Sequence, residues 1–166
     1  MVVIEAHSEV DVPLRTAYDQ WTQFESFPRF MSAVRAVHHV SPTVTRWRVG
    51  IGPLHRDFHT EILEQHPDES LRWRSLDVRP KHEGEVVFSE ISEGRTRVLV
   101  RIRLGSGGSG PIRGILERAL RRELGAFKGF IQGLGESGAA WRGAIHEGRV
   151  RQPGEPAPRS PTWPHG

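Results

Sequence analysis

Six segments with alternating apolar and polar residues, joined by short turns, dominate the middle of the chain. They span residues 34–40, 43–51, 54–65, 70–76, 83–91 and 96–104. Alternation with a period of two is typical of half-buried strands, and Pro or Gly residues mark most of the turns between the segments. Parallel strands need a crossover of a dozen or more residues, so these short connections predict an antiparallel meander.

Helical patterns flank these strands on both sides. Residues 2–12 resemble a further strand, and Pro13 then stands where a helix can begin. Short helices are predicted for residues 14–24 and 26–31, whereas the apolar residues of 112–134 recur on one face of a long helix. A sheet with one apolar face must bury that face, so we predict that the long helix covers it. The fold class is α+β, with a sheet of about seven strands.

Strand alternation separates the side chains of the sheet into an apolar face and a charged face. The apolar face includes Trp47, Phe58, Thr60, Trp73, Ser75 and Phe88. The charged face includes Arg46, Arg48, Glu61, Arg74, Glu85 and Arg101. Mixed signs on this face favour a solvated surface with salt bridges over a surface that binds RNA or an anionic membrane.

Composition changes after residue 135. Residues 136–166 contain five prolines and no periodic apolar pattern. Such a segment buries too little surface to offset its ordering entropy. We therefore predict one folded domain over residues 1–135 and a disordered tail over residues 136–166, with at most a marginal helical turn in 141–150.

Composition and charge exclude several classes of protein. The chain contains no cysteine, which excludes disulfides and thiolate metal sites. No apolar run approaches the roughly 20 residues of a membrane span, and the N-terminus does not resemble a secretory signal, so we expect a cytoplasmic protein. The pI near 10.1 accompanies a net charge of only +3, because few groups titrate between neutral and strongly basic pH. It is therefore no strong indication of nucleic-acid binding.

Two motifs resemble functional sites. His55, Asp57, His59 and Glu61 alternate along one strand, and these residue types bind zinc or iron. The residues between them belong to the apolar face, so we place these four side chains on the solvated face. We therefore predict neither a metal site nor a cofactor. Residues 105–110 match G-x-G-x-x-G, but a dinucleotide site requires a parallel βαβ unit. We interpret this stretch as a flexible loop.

Three stretches near the N-terminus resemble the opening of the SRPBCC (START-like) superfamily. They are Val10-Asp11-Val12-Pro13, Ala17-Tyr18-Asp19-Gln20-Trp21 and Phe24-Glu25-Ser26-Phe27-Pro28-Arg29-Phe30-Met31. The similarity continues in Trp47-Arg48-Val49, Leu71-Arg72-Trp73-Arg74-Ser75, Gly84-Glu85-Val86-Val87-Phe88 and the final helix. It spans about residues 1–134 and is nearest to the polyketide cyclase/dehydrase and coenzyme Q-binding branch. The resemblance implies a helix-grip fold, in which a curved antiparallel sheet wraps the last helix around an apolar cavity.

A cavity of this kind would be lined by the aromatic residues of the apolar face. The candidates are Trp47, Phe58, Trp73, Phe88, Phe127 and Phe130, with Thr60, Ser75 and Tyr18 as polar groups. Mostly apolar and aromatic linings with a few polar groups are typical of ligand pockets. The competing interpretation is that these side chains simply fill a solid core.

We predict from this pattern that the protein binds a hydrophobic small molecule, such as a lipid, an isoprenoid or a polyketide-like aromatic. One alternative is a polyketide cyclase or dehydrase that uses the same cavity, although the sequence identifies no catalytic acid or base. Another is a module that contacts ribosome, RNA or a protein partner through its arginine-rich faces. Homodimerisation is left open.

Overall fold

A nine-stranded antiparallel sheet and one long helix make up most of the computed structural model, which describes residues 2–51, 53–77, 81–105, 110–134 and 141–151. The strands are β1 (Val2–Val10), β2 (Val34–His39), β3 (Val44–Ile51), β4 (Leu54–His66), β5 (Ser70–Ser75), β6 (His82–Ser92), β7 (Arg95–Leu104), β8 (Ile145–His146) and β9 (Arg149–Val150). The helices are α1 (Leu14–Trp21), a 3₁₀ helix (Phe24–Arg29) and α2 (Gly110–Leu134).

The strand order confirms the predicted meander. Neighbours in the sheet run β1-β7-β6-β5-β4-β3-β2, so consecutive strands pair from β2 to β7 and β1 pairs with β7. The sheet is curved and carries the long C-terminal helix, which confirms the predicted helix-grip architecture. It has nine strands rather than about seven, because β8 and β9 form an additional hairpin beside β4.

The helix α2 buries one face against the sheet. Leu124, Phe127 and Ile131 lie at three- and four-residue spacing and are almost fully buried. Phe127 meets Trp21 of α1 edge-to-face, with the ring centroids 5.0 Å apart. The backbone N–H of Asp11 donates to the Gln132 side-chain oxygen at 2.9 Å, which ties the end of α2 to the chain after β1.

No helix in the described part of the chain is long and apolar enough to cross a bilayer.

The second short helix differs from its prediction. It is a 3₁₀ helix that begins at Phe24 rather than at residue 26, so Ser26 lies inside the helix, and its N-cap is Gln23. The Ser26 hydroxyl instead accepts a hydrogen bond from Gln20 Nε2 at 3.0 Å and donates to the Gln23 carbonyl at 2.6 Å. These bonds join the helix to α1 and help to place the buried Phe24 and Phe27 rings over the inner face of the sheet.

The C-terminal hairpin corrects the prediction of a disordered tail. Residues 141–151 form strands rather than a helical turn, and Ile145 is completely buried. Ile145 pairs with Gln65 of β4 just beyond the point where β3 begins, and the Gly148 N–H donates to the Leu63 carbonyl at 2.9 Å. Arg142 forms ion pairs with Asp19 and Asp68. Composition averaged over the whole tail concealed this short segment.

Some predictions concern residues outside the described part. Of the predicted tail, residues 136–140 and 152–166 lie there, as do residues 106–109 of the G-x-G-x-x-G match. The disorder predicted for residues 136–140 and 152–166 therefore stays a prediction.

Candidate ligand cavity

An apolar cavity of about 200 Å³ lies between the inner face of the sheet, α2 and the 3₁₀ helix. Its aromatic lining consists of Trp21, Phe24, Phe27, Trp47 and Trp73. Aliphatic side chains complete the wall, namely Met31, Val34, Ile62, Leu71, Val100, Ile102, Leu120 and Leu124. Thr45, Thr60 and Glu123 are its polar lining residues. A mostly apolar wall with few polar groups is the usual composition of a small-molecule site.

The structure brings three of the nine predicted cavity residues together at this site. Trp47, Thr60 and Trp73 lie on neighbouring strands and point to the same side of the sheet, as their alternation predicts. Phe88, Phe127 and Tyr18 are buried in the solid part of the core instead. There the ring of Tyr18 packs edge-on against Phe88, with centroids 5.4 Å apart.

The remaining three predicted residues lie away from the cavity. Ser75 is the last residue of β5, and its hydroxyl accepts a hydrogen bond from the backbone N–H of His82 at 2.9 Å. Phe58 is half-buried and meets the His82 ring edge-on at 5.6 Å. Phe130 stacks on Phe30 at 4.5 Å, towards the end of α2. Each of these side chains has a local partner that alternation alone does not reveal.

Two threonines line the cavity from directly opposite positions on β3 and β4. The Trp47 indole N–H donates to Thr60 Oγ1 at 2.9 Å, which fixes the orientation of that ring. Thr45 is 1% exposed, and its Oγ1 makes no hydrogen bond within the described part of the chain. A buried hydroxyl without a partner costs about 1–3 kcal/mol. Thr45 alternates with Trp47 along β3, so sequence alternation could have identified it.

A glycine on β6 makes room for one aromatic wall of the cavity. Gly84 pairs with Trp73 across β5 and β6, and the indole lies directly over the glycine Cα. A Cβ atom at position 84 would overlap three atoms of the indole ring. The missing side chain therefore sets how far Trp73 sits from the centre of the cavity.

Two further ionisable groups lie near the cavity and in the adjoining core. Glu123 of α2 is the one titratable side chain among the cavity-lining residues of the described chain, and its carboxylate lies 3.5 Å from the Arg122 guanidinium. Tyr18 lies outside the lining, where burial raises its pKa to about 12 and the nearby Gln65 side chain opposes the increase only in part. The Tyr18 hydroxyl makes no hydrogen bond of good geometry to the described residues.

The charged face of the sheet is occupied by ion pairs. Asp57 accepts hydrogen bonds from Arg48 and Arg46, which lower the pKa of its carboxyl to about 2. His59 bonds Asp77, and Glu61 bonds Arg74. These contacts are consistent with the prediction that the side chains of His55, Asp57, His59 and Glu61 form a solvated face. Arg101 likewise forms ion pairs with Glu5 and Glu85, as the mixed signs of this face predict.

A second polar cluster joins β4 to the C-terminal hairpin. Glu64 is buried, and its carboxylate accepts hydrogen bonds from the Glu147 backbone N–H and contacts the rings of His66 and His146. Burial opposes ionisation of Glu64, but these three contacts outweigh it and lower the pKa of the carboxyl. The two-residue spacing of Glu64 and His66 indicates a shared face, but the sequence did not predict the cluster because His146 falls in the segment interpreted as disordered.

Comparison with known proteins agrees with this architecture. The profile of the polyketide cyclase / dehydrase and lipid transport family matches residues 10–130. An uncharacterized 17.2 kDa protein from the melC2-rnhH intergenic region of Streptomyces lincolnensis is 35% identical over 149 residues, which cover 87% of this chain and 99% of that protein.

Solved structures share the fold at low sequence identity. A START superfamily protein from Mycobacterium smegmatis superposes with a TM-score of 0.71 at 15% identity, over 80% of this chain and 98% of that one. The Zhui aromatase/cyclase from Streptomyces sp. R1128 gives a TM-score of 0.68 at 15% identity, over 79% and 93% of the two chains. The family profile covers most of the chain and the predicted resemblance is confirmed: this protein belongs to the polyketide cyclase / dehydrase and lipid transport family.

Proposed function

We propose that the protein binds a compact hydrophobic molecule of one or two rings, carrying one hydrogen-bonding group, in the cavity beneath α2. The observation that carries this proposal is that the hydroxyl of Thr45, a residue of an otherwise apolar and aromatic cavity wall, has no hydrogen-bond partner among the described residues. Buried polar groups are normally hydrogen-bonded, so an unpaired one on a residue of the cavity wall is where a ligand group gains most.

The size of the cavity limits the class of ligand. Its volume of about 200 Å³ lies below the roughly 300–1,000 Å³ of most drug-sized ligand sites. An apolar protein cavity of about 150 Å³ accommodates benzene. The volume therefore supports a compact ring system over an extended acyl or isoprenoid chain. The sequence alone left the ring system and the extended chains open.

The polar groups favour a ligand with one phenol, alcohol or carbonyl oxygen. Thr45 Oγ1 offers both a donor and an acceptor, whereas Thr60 Oγ1 already accepts from Trp47 and retains its own proton to donate. Both side chains lie on the same face of the sheet, because Thr45 and Thr60 are directly opposite across β3 and β4. A single ligand oxygen near these strands can satisfy them.

Binding can be measured with 2-naphthol and naphthalene as probes of the same shape, using the emission of the cavity tryptophans Trp21, Trp47 and Trp73. We expect both probes to quench this emission. Thr45→Val keeps the shape of the side chain and removes the hydroxyl, so it should weaken 2-naphthol binding about 2- to 10-fold, the equivalent of one net hydrogen bond. Naphthalene binding should stay unchanged.

A matched control and two contradictory outcomes complete the experiment. Ser75→Ala removes a hydroxyl outside the cavity and should leave the binding of both probes as it is. If dodecanoic acid binds as tightly as 2-naphthol, the cavity opens for long chains and the proposed ligand class is wrong. If neither ring compound binds, the cavity is not a ligand site of this kind.

A second candidate is a cyclase or dehydrase reaction in the same cavity, which the carboxylate of Glu123 favours. A general acid or base must lie within hydrogen-bond reach of the reacting group, and Glu123 is the lining residue able to exchange a proton. Turnover of a short poly-β-ketone analogue to an aromatic product would support this activity. Glu123→Gln should then abolish product formation while 2-naphthol still binds, and an equal rate in Glu123→Gln would exclude this role.

A further inference from the structure

We propose that Glu64, His66 and His146 form a binding site for a divalent transition-metal ion such as Zn²⁺. The site lies at the junction of β4 and the β8–β9 hairpin, on the side of the sheet opposite to the cavity. It is independent of the proposed ligand-binding function, since the cavity is lined by the alternate residues Ile62, Leu71 and Trp73.

The ligand atoms already lie at distances close to those in a metal coordination sphere. His66 Nε2 lies 2.9 Å and His146 Nδ1 lies 3.1 Å from Glu64 Oε1. One ligand atom from each residue fits within 4.8 Å of the other two. Metal–ligand bonds of about 2.0–2.2 Å place adjacent ligand atoms about 2.8–3.6 Å apart in octahedral or tetrahedral geometry. Small side-chain rotations are therefore enough to admit the ion.

The backbone holds the three residues on one face. The register of β4 shifts between Ile62 and Glu64, after which Glu64 and His66 lie opposite Arg72 and Ser70 on the outer side of the sheet. Pairing of Gln65 with Ile145 then brings β8 alongside β4, with Ile145 buried and His146 turned towards Glu64. Metal ligands on paired strands are well positioned, because their relative placement does not depend on a loop.

Outer-shell contacts orient two of the three ligands. The Glu147 backbone N–H donates to Glu64 Oε2 at 2.9 Å, which turns Oε1 towards the two imidazoles. The second ring nitrogen of His146, Nε2, lies 3.8 Å from Glu147 Oε1, within ion-pair distance. Histidines that bind metals usually direct their second nitrogen to a carboxylate or carbonyl, which sets the tautomer and increases ligand basicity.

Solvent reaches the site from one side. The Glu64 side chain is 6% exposed, whereas His146 and His66 are 19% and 31% exposed. Glu64 and His66 also border a surface groove of about 760 Å³. Two histidines and one carboxylate that leave positions open are typical of catalytic zinc sites and of non-haem iron(II) sites. The remaining positions here would hold water or an external ligand. This proposal departs from the sequence-based expectation of no metal site, which placed His146 in a disordered tail.

The test is a titration of the full-length, chelator-treated protein with Zn²⁺, followed by calorimetry. We expect one equivalent to bind. His66→Ala and His146→Ala should each weaken affinity about 100-fold or more, beyond the roughly 10–100-fold loss typical of removing an outer-shell partner. His59→Ala is the matched control, because His59 lies on the outer face of the same strand and also bonds a carboxylate. It should bind Zn²⁺ as the native protein does.

The visible absorption of bound Co²⁺ provides a second readout. It reports coordination directly and would not change on substitution if the histidines had a purely structural role. This absorption should indicate nitrogen and oxygen coordination in the native protein and in His59→Ala, and should be lost in His66→Ala. If His146→Ala fails to fold, His66→Ala decides the result, since the more exposed His66 side chain contributes less to packing. Binding of less than one equivalent, or Zn²⁺ affinity unchanged in His66→Ala, would overturn the proposal.

Discussion

Replacing Ile145 with alanine tests whether the C-terminal hairpin is part of the folded domain. Ile145 is completely buried and belongs to the core cluster that β4 and α2 share, although it lies in a strand of only two residues. A disordered tail would make this position irrelevant to stability, and a surface substitution typically changes the free energy of unfolding by less than about 0.5 kcal/mol.

The expected magnitude follows from burial. Ile→Ala removes three carbon atoms, whose transfer from water contributes about 2.4 kcal/mol at about 0.8 kcal/mol each. A residual cavity increases this loss, and buried Ile→Ala substitutions cost about 2–5 kcal/mol overall. The hairpin can also detach locally, which limits the loss to the free energy of its docking. We therefore expect about 2–3 kcal/mol, or a decrease in Tm of about 4–12 °C.

Urea denaturation and thermal melting followed by circular dichroism measure this difference. Ile115→Ala is the matched control, because Ile115 is 57% exposed on α2 and loses little burial on truncation. We expect it to unfold within about 0.5 kcal/mol of the native protein. If Ile145→Ala is as stable as Ile115→Ala, the hairpin does not dock in solution and our account of the C-terminal segment is wrong.

Three further predictions concern the core and the Glu64 cluster. Gly84→Ala should force the Trp73 indole into the cavity, destabilise the fold by about 1–3 kcal/mol and reduce 2-naphthol affinity; unchanged binding in calorimetry would contradict the account of that wall. Tyr18→Phe removes a buried hydroxyl that makes no hydrogen bond of good geometry to the described residues, so urea melts should show equal or greater stability, and a loss above about 1 kcal/mol would contradict this. Because the pKa of Glu64 is lowered by folding, its stabilisation is present above its unfolded pKa and is lost as pH falls through the folded value. Glu64→Gln should therefore flatten the acid side of the stability profile, whereas an equally steep profile would exclude this role.

Local pattern was sufficient to place the cavity strands. Trp47, Thr60 and Trp73 point inwards because side chains alternate along any strand, and this depends on no distant residue. The short turns then require neighbouring antiparallel strands, so the meander and its covering helix follow from the same pattern. Thr45 could have been added by the same rule, since it lies two residues before Trp47 and shares its face.

Only the tertiary structure decided which inward residues enclose empty space and which fill the core. Phe88 and Phe127 point inwards as predicted, yet they pack against Tyr18 and Trp21 because the helices close on that part of the sheet. Ser75 shares the face of Trp73 but bonds the His82 backbone at the end of its strand. The face of the sheet to which a side chain points is a local property of its strand. The free volume between two layers instead depends on how all their side chains fit together.

The C-terminal hairpin shows most clearly which features are local to the sequence and which require the folded chain. Glu64 and His66 reveal a shared face in the sequence, because they stand two residues apart on one strand. Nothing local places His146 beside them, since β8 has two residues and pairs with β4 at Gln65 alone. Three features hold the hairpin against the domain. They are the buried side chain of Ile145, the ion pairs of Arg142, and the edge of β4 that β3 leaves unpaired beyond Glu61. These contacts join residues 74 to 123 positions apart, so only the folded chain could bring them together.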